Sequence, residues 1–114
     1  MEIAIIGEEN RVNNKLVNEM VKIQEVRFFS VSEVLEGVLK DFRLKMILIN
    51  LMDIGPNEGQ LMDYLRSHHA SVKRIAIHCF QSQNLIDDTL KRGYDSYWSL
   101  FDISEKFLQE LGLE

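Results

Sequence analysis

The stretch Met46-Ile47-Leu48-Ile49-Asn50-Leu51-Met52-Asp53 decides the fold. It is a continuous apolar run that stops on polar atoms, with charge before it and Gly55-Pro56-Asn57-Glu58-Gly59 after it. An apolar run without alternation is the pattern of a strand buried on both faces, as in a parallel sheet, and the Gly-Pro segment predicts a functional loop beyond it. In an open α/β sheet the carboxyl ends of the strands are where a ligand or a reaction is placed, so Asn50 is delivered to the mouth of a site. Its carboxamide offers one neutral oxygen and two donors, and it cannot act as a carboxylate nucleophile.

Working outward, short apolar runs alternate with stretches of helical period, the sign of repeated βα units around a parallel sheet. Five units can be read. Ile3 to Ile6 is the first strand, ending at Gly7-Glu8-Glu9-Asn10, and Val12, Leu16, Val17, Met20 and Val21 then recur at helical spacing. Val26 to Phe29 is the second strand. Ser30 and Glu33 have capping-box spacing, and Val31, Val34, Leu35, Val38 and Leu39 give the buried face of the second helix, with Lys40 and Arg43 at its C-terminal end. After the Gly-Pro turn, a third helix directs Leu61, Met62 and Leu65 inward. Arg74 to Cys79 is the fourth strand. The fourth helix carries Leu85, Ile86 and Leu90 and ends at Lys91-Arg92-Gly93, a basic last turn with a glycine for the left-handed stop. Tyr94 to Trp98 makes a short fifth strand. Asp102 and Glu105 offer another capping box for a last helix with Phe107, Leu108 and Leu111 on its core face.

The 114 residues are read as one domain, 1–114, with 46% hydrophobic and 27% charged residues, the composition of an ordinary globular domain. Thirteen Lys and Arg against 18 Asp and Glu give a net charge of -5, which argues against direct binding of nucleic acid. The single cysteine, Cys79, forms no internal disulfide and no multi-thiolate metal site, in keeping with a reducing compartment. No apolar run approaches the ~20 residues of a membrane span and no leader-like segment opens the chain, so the expectation is a cytoplasmic protein without membrane contact.

The order and spacing of Ile3-Ala4-Ile5-Ile6-Gly7-Glu8-Glu9-Asn10-Arg11-Val12, the run Ile47 to Gly59, and Leu90-Lys91-Arg92-Gly93-Tyr94-Asp95-Ser96-Tyr97 resemble the receiver domain of two-component response regulators. The resemblance spans essentially the whole chain. It implies a doubly wound, flavodoxin-like (βα)5 domain with a five-stranded parallel sheet of order 2-1-3-4-5 and a site at the carboxyl ends of strands one, three, four and five. It also implies where that site has changed. The magnesium-binding acidic pair falls on Gly7 and Glu8, and the phosphoacceptor aspartate falls on Asn50. The switch Ser/Thr falls near His78 or Cys79. The lysine and proline after strand five fall in Ser99-Leu100-Phe101, where neither residue occurs. The loop after Asn50 is one residue longer than usual before Gly59. Gly7, Glu8, Asn50, Asp53, His78 and Cys79 therefore outline an altered phosphorylation pocket, with no catalytic residue, no metal ligand set and no cofactor expected.

Each residue also has a plainer reading. Asn50 can be a strand-end amide bonded to the neighbouring loop, Asp53 a turn residue, and Glu8 and Glu9 solvated charges at a helix N-terminus. His68 and His69 point about 100° apart on a helix and cannot chelate one metal, while His78 and Cys79 face opposite sides of a strand. Cys79 then serves as a small apolar group. Gln81 and Ser82 remain spare ligand contacts. Tyr94, Tyr97, Trp98 and Phe101 cluster around strand five, where receivers dock partners or dimerise through the fourth helix, fifth strand and fifth helix. Tyr97, Trp98 and Phe101 are expected at that interface, with Trp98 and Phe101 exposed.

The function expected is a phosphorylation-independent receiver-like signalling module acting through protein–protein contact. The alternative is an atypical phosphoreceiver with its acceptor moved to Asp53, in a phosphorelay or a transcriptional regulator. A flavin or nucleotide module is disfavoured because the carboxylates of Glu8 and Glu9 would repel a phosphate at the first helix.

Overall fold

The computed structural model describes residues 3–8, 11–20, 25–80 and 82–111. Five strands, β1 (Ile3–Ile6), β2 (Val26–Phe29), β3 (Met46–Asn50), β4 (Lys73–His78) and β5 (Ser96–Ser99), form one parallel sheet of order β2-β1-β3-β4-β5. Among the described residues six helices accompany them: α1 (Arg11–Met20), α2 (Val31–Leu35), α3 (Leu51–Ile54), α4 (Glu58–His68), α5 (Gln83–Lys91) and α6 (Ile103–Leu111). This is the doubly wound, flavodoxin-like arrangement.

The sheet divides two apolar layers, as strand alternation requires. On one face Ala4, Ile6, Ile47, Ile49 and Ala76 meet Val31 and Val34 of α2, Ile54 of α3, and Leu61, Met62 and Leu65 of α4. On the other, Ile3, Ile5, Met46, Leu48, Ile75 and Ile77 meet Met20 of α1 and Ile103 and Phe107 of α6. All five residues of β3 are buried, the consequence of a central strand covered on both sides.

Several boundaries differ from the sequence expectation, each for a local reason. The second helix stops at Leu35 because Gly37 adopts φ +93°, and a 3-10 turn over Val38–Asp41 follows. That turn keeps Leu39 buried but leaves Val38 exposed. Its capping box is present: Ser30 Oγ accepts from Glu33 N at 3.1 Å, and the Glu33 carboxylate accepts from Ser30 N at 3.0 Å. Beyond β3 the chain is helical, with α3 running through a 3-10 turn at Gly55–Asn57 into α4. In α5 the buried position is Thr89, whose Oγ1 donates to Leu85 O at 2.6 Å, while Leu90 is exposed. Gly93 takes φ +108° and stops α5 as its position predicted. Strand five begins at Ser96 rather than Tyr94, and Tyr94 is buried with its hydroxyl donating to Glu58 Oε2 at 3.1 Å. Glu9, Asn10, Val21 and Gln81 lie outside the described residues, as do the side chains of Val12, Leu16 and Leu111.

Trp98 requires a correction. Expected as an exposed interface residue, it is 5% exposed and packs in the second layer with Ile75, Ile77, Ile103 and Phe107. Tyr97 pairs with Ala76 and Trp98 with Ile77, so the two rings leave β5 on opposite faces. The face that receives Trp98 is covered by α6, which leaves no open surface for it. Trp98→Ala is expected to lower the free energy of unfolding by about 3–5 kcal/mol, as for a large ring removed from a core. Urea denaturation checks this, and a surface-sized effect of about 0.5 kcal/mol or less would show Trp98 to be outside the core.

Candidate functional site

The carboxyl ends of β1 and β3 converge on Gly7, Glu8, Asn50 and Asp53, as the strand order demands. The centre of this place is a residue that the sequence reading did not single out: Asn13, on the first turn of α1, buried with 0% of its surface exposed. Its Oδ1 accepts from Asn50 Nδ2 at 2.8 Å. Its Nδ2 donates to the Glu8 carbonyl at 2.5 Å and to Asp53 Oδ2 at 2.6 Å. Asn50, also 0% exposed, completes the chain by accepting the Met52 N–H on Oδ1 at 3.1 Å, which caps α3. Two buried amides thus tie the β1–α1 connection, α1, the end of β3 and α3 together.

Gly7 is shaped by the same amide. A Cβ at position 7 would stand 2.7 Å from both Asn13 Nδ2 and Asp53 Oδ2, closer than a real side chain can approach. Glycine is needed here for space. The Glu8 side chain is exposed, and its contribution to the cluster is the main-chain carbonyl. Asp53 is half-buried, its carboxylate turned inward to Asn13.

His78 and Cys79 end β4 and begin its loop, and both are half-buried. His78 Nδ1 accepts the Phe80 N–H at 3.2 Å, which the neutral ring alone can do, and burial lowers its pKa below the ordinary 6.5. Ser99, the first residue of the segment where the resemblance would place a lysine, is buried and accepts the Phe101 N–H on Oγ at 3.2 Å. This turn directs the Phe101 ring outward, where it is 83% exposed. Phe80, on the neighbouring loop, is 63% exposed. Between them Tyr97 is half-buried, its hydroxyl donating to the Phe80 carbonyl, and burial raises its pKa. A groove of about 260 Å³ is lined by Ile86, Tyr97, Ser99, Asp102 and Lys106.

The remaining candidates have structural duties. Ser82 caps α5 by accepting from Leu85 N at 3.4 Å. His68 stacks on Tyr64 with ring centroids 4.2 Å apart, and His69 ends α4 with a pKa lowered by burial and by the adjacent His68 and Lys40. Among the described residues no three His, Cys, Asp or Glu side chains are grouped to hold a metal ion.

Asn13 had a signal in the sequence. Positions 13, 17 and 20 share one helical face, and Val17 and Met20 pack on the core, so the asparagine interrupts an apolar stripe. A polar residue at such a position needs a buried partner, and Asn50 is that partner.

The network fixes the sign of one substitution. Asn50→Asp removes the only hydrogen that Asn13 Oδ1 receives from β3 and opposes two oxygens in a buried place. It is expected to destabilise the fold by about 1–3 kcal/mol, read from the midpoint of chemical denaturation at neutral pH.

No family model matches the chain, and no curated protein matches it. Solved structures do. The RcsB response regulator of Salmonella typhimurium superposes with a TM-score of 0.74 at 14% identity, covering 98% of this chain and 60% of that one, so the chain spans a little under two thirds of RcsB. A CheY-like protein, TadZ, from Pseudomonas aeruginosa PAO1 gives 0.70 at 16% identity, covering 97% of this chain and 99% of that one. The receiver domain of the sensor histidine kinase PA1611 from Pseudomonas aeruginosa PAO1, which holds a magnesium ion in its active-site cleft, gives 0.65 at 17% identity, covering 97% and 98%. At these identities the likeness establishes the fold, which is that of response-regulator receiver domains.

Proposed function

We propose that the chain is a receiver-like signalling module that works without phosphorylation, through contact with another protein. The observation that carries this reading is the Asn13–Asn50 hydrogen bond at the end of β3. At the receiver's acceptor position stands an amide with both polar atoms engaged, one by Asn13 and the other by Met52. An amide forms no acyl phosphate, and the fixed bonds on it leave a phosphoryl donor no differential contact with which to shift the domain between two states. A single conformation then presents the binding face.

Asp53 is the rival acceptor. Its Oδ2 lies 2.6 Å from Asn13 Nδ2, so an in-line attack from that oxygen must first break a short, inward-facing hydrogen bond. The reading accordingly assigns no enzymatic step to this chain. Its net charge of -5 favours a protein partner over nucleic acid, in a cytoplasmic setting. Incubation with acetyl phosphate and magnesium, followed by intact-mass measurement, is expected to give no phosphoryl adduct. An adduct lost in Asp53→Asn would replace this reading with the displaced-acceptor one.

The contact face favoured is the one around β5, where Phe80 and Phe101 are exposed on the loops that follow β4 and β5, and Tyr97 bonds to the Phe80 carbonyl. Exposed aromatic groups of this size act as anchors at interfaces. Phe101→Ala is expected to leave stability within about 0.5 kcal/mol of wild type while weakening association. Light scattering of both proteins over a concentration series checks whether the partner is a second copy. Monomers throughout would assign the face to a different protein.

A further inference from the structure

We propose that the Asn13 amide is a built-in replacement for the divalent cation of this fold's site, and that it keeps cations out. This rests on the phosphorylation-independent reading and names the residue responsible for it. Magnesium requires a near-octahedral shell of oxygens, and the residues here do not provide a vacancy for it. Beside Asp53 Oδ2 and the Glu8 carbonyl, the two oxygens a cation would draw on, stands an –NH₂ group at 2.6 and 2.5 Å. A donor with two hydrogens does there what a positive charge would do, drawing both oxygens onto one point. The room an acidic side chain at position 7 would need is taken by the same nitrogen, 2.7 Å from where its Cβ would stand.

The replacement has a direction, and that direction makes it exclusive. Met52 N–H donates to Asn50 Oδ1, Asn50 Nδ2 to Asn13 Oδ1, and Asn13 Nδ2 to the Glu8 carbonyl and Asp53 Oδ2, so each donor in this relay meets an acceptor. The carboxylate of Asn50→Asp has no hydrogen for Asn13 Oδ1. Turning the Asn13 amide over to serve that carboxylate sets its oxygen against the Glu8 carbonyl and Asp53 instead. An acid at position 50 and an amide at position 13 are therefore incompatible, and restoring the acceptor alone does not restore a cation site. Removing Asn13 leaves the Asp53 carboxylate and the Glu8 carbonyl facing one cavity, and Asn50→Asp beside it replaces the Asn50 Nδ2 donor with a third hard oxygen, a set suited to a divalent ion.

Manganese(II) is the probe, followed through the paramagnetic broadening of backbone amide signals in the full chain. Wild type and Asn50→Asp are expected to show no more broadening at Gly7, Asn50 and Asp53 than at the surface carboxylates Asp63 and Asp87. Asn13→Ala, and Asn13→Ala combined with Asn50→Asp, are expected to broaden selectively at those three positions, with an affinity about tenfold or more above wild type and a Tm that rises with added metal. Asn13→Ser, which leaves a smaller void, serves as companion should the alanine variant not fold. Selective broadening in wild type, or in Asn50→Asp alone, overturns the proposal, as does its absence in the folded Asn13 variants. A phosphoryl adduct on wild type sinks the functional reading instead, and the manganese map judges Asn13 independently of that result.

Discussion

The hydrogen bond between Asn50 and Asn13 is the constraint on which the site end of the molecule depends. It joins the central strand to the first helix through two amides with no exposed surface, and because a buried amide left unpaired is costly, a change at either residue alone lowers stability. Gly7 is small because Asn13 is where it is. The Glu8 carbonyl and the Asp53 carboxylate face inward for the same reason. Two departures from the receiver pattern, Gly7 and Asn50, are thereby reduced to one arrangement of hydrogen bonds.

That arrangement sits on an ordinary scaffold. The two apolar layers and the parallel register place the ends of β1 and β3 side by side, whatever side chains those ends carry. A fold of this kind supplies positions, and chemistry depends on what occupies them. Here the occupants are two amides, a main-chain carbonyl and a carboxylate already bonded to one another.

The strands and most of the inward positions were legible in the sequence because burial on both faces leaves an uninterrupted apolar run, as in Ile47 to Ile49, and helical spacing marks Leu61, Met62 and Leu65. The capping box at Ser30 and the stop at Gly93 were legible because each follows from local chemistry. What was not legible depended on tertiary placement. Trp98 read as surface because a fifth strand at a sheet edge suggests one open face, and only the path of α6 closes it. Asn13 is hard to read locally because its partner lies 37 residues away, and its single trace is a polar interruption in the stripe of α1. Val38 leaves the buried face that helical spacing gives it because the φ of Gly37 turns the chain after it.

Glu58 opens α4 and reaches two partners at once, the Arg92 guanidinium at 2.7 Å and the Tyr94 hydroxyl at 3.1 Å, while Arg66 from the same helix donates to the Arg92 carbonyl at 3.0 Å. The start and middle of α4 are thus bolted to the turn that follows α5. A partner pushing on the end of α5 would meet a rigid strut instead of a hinge, and the displacement would be handed on to α4 whole.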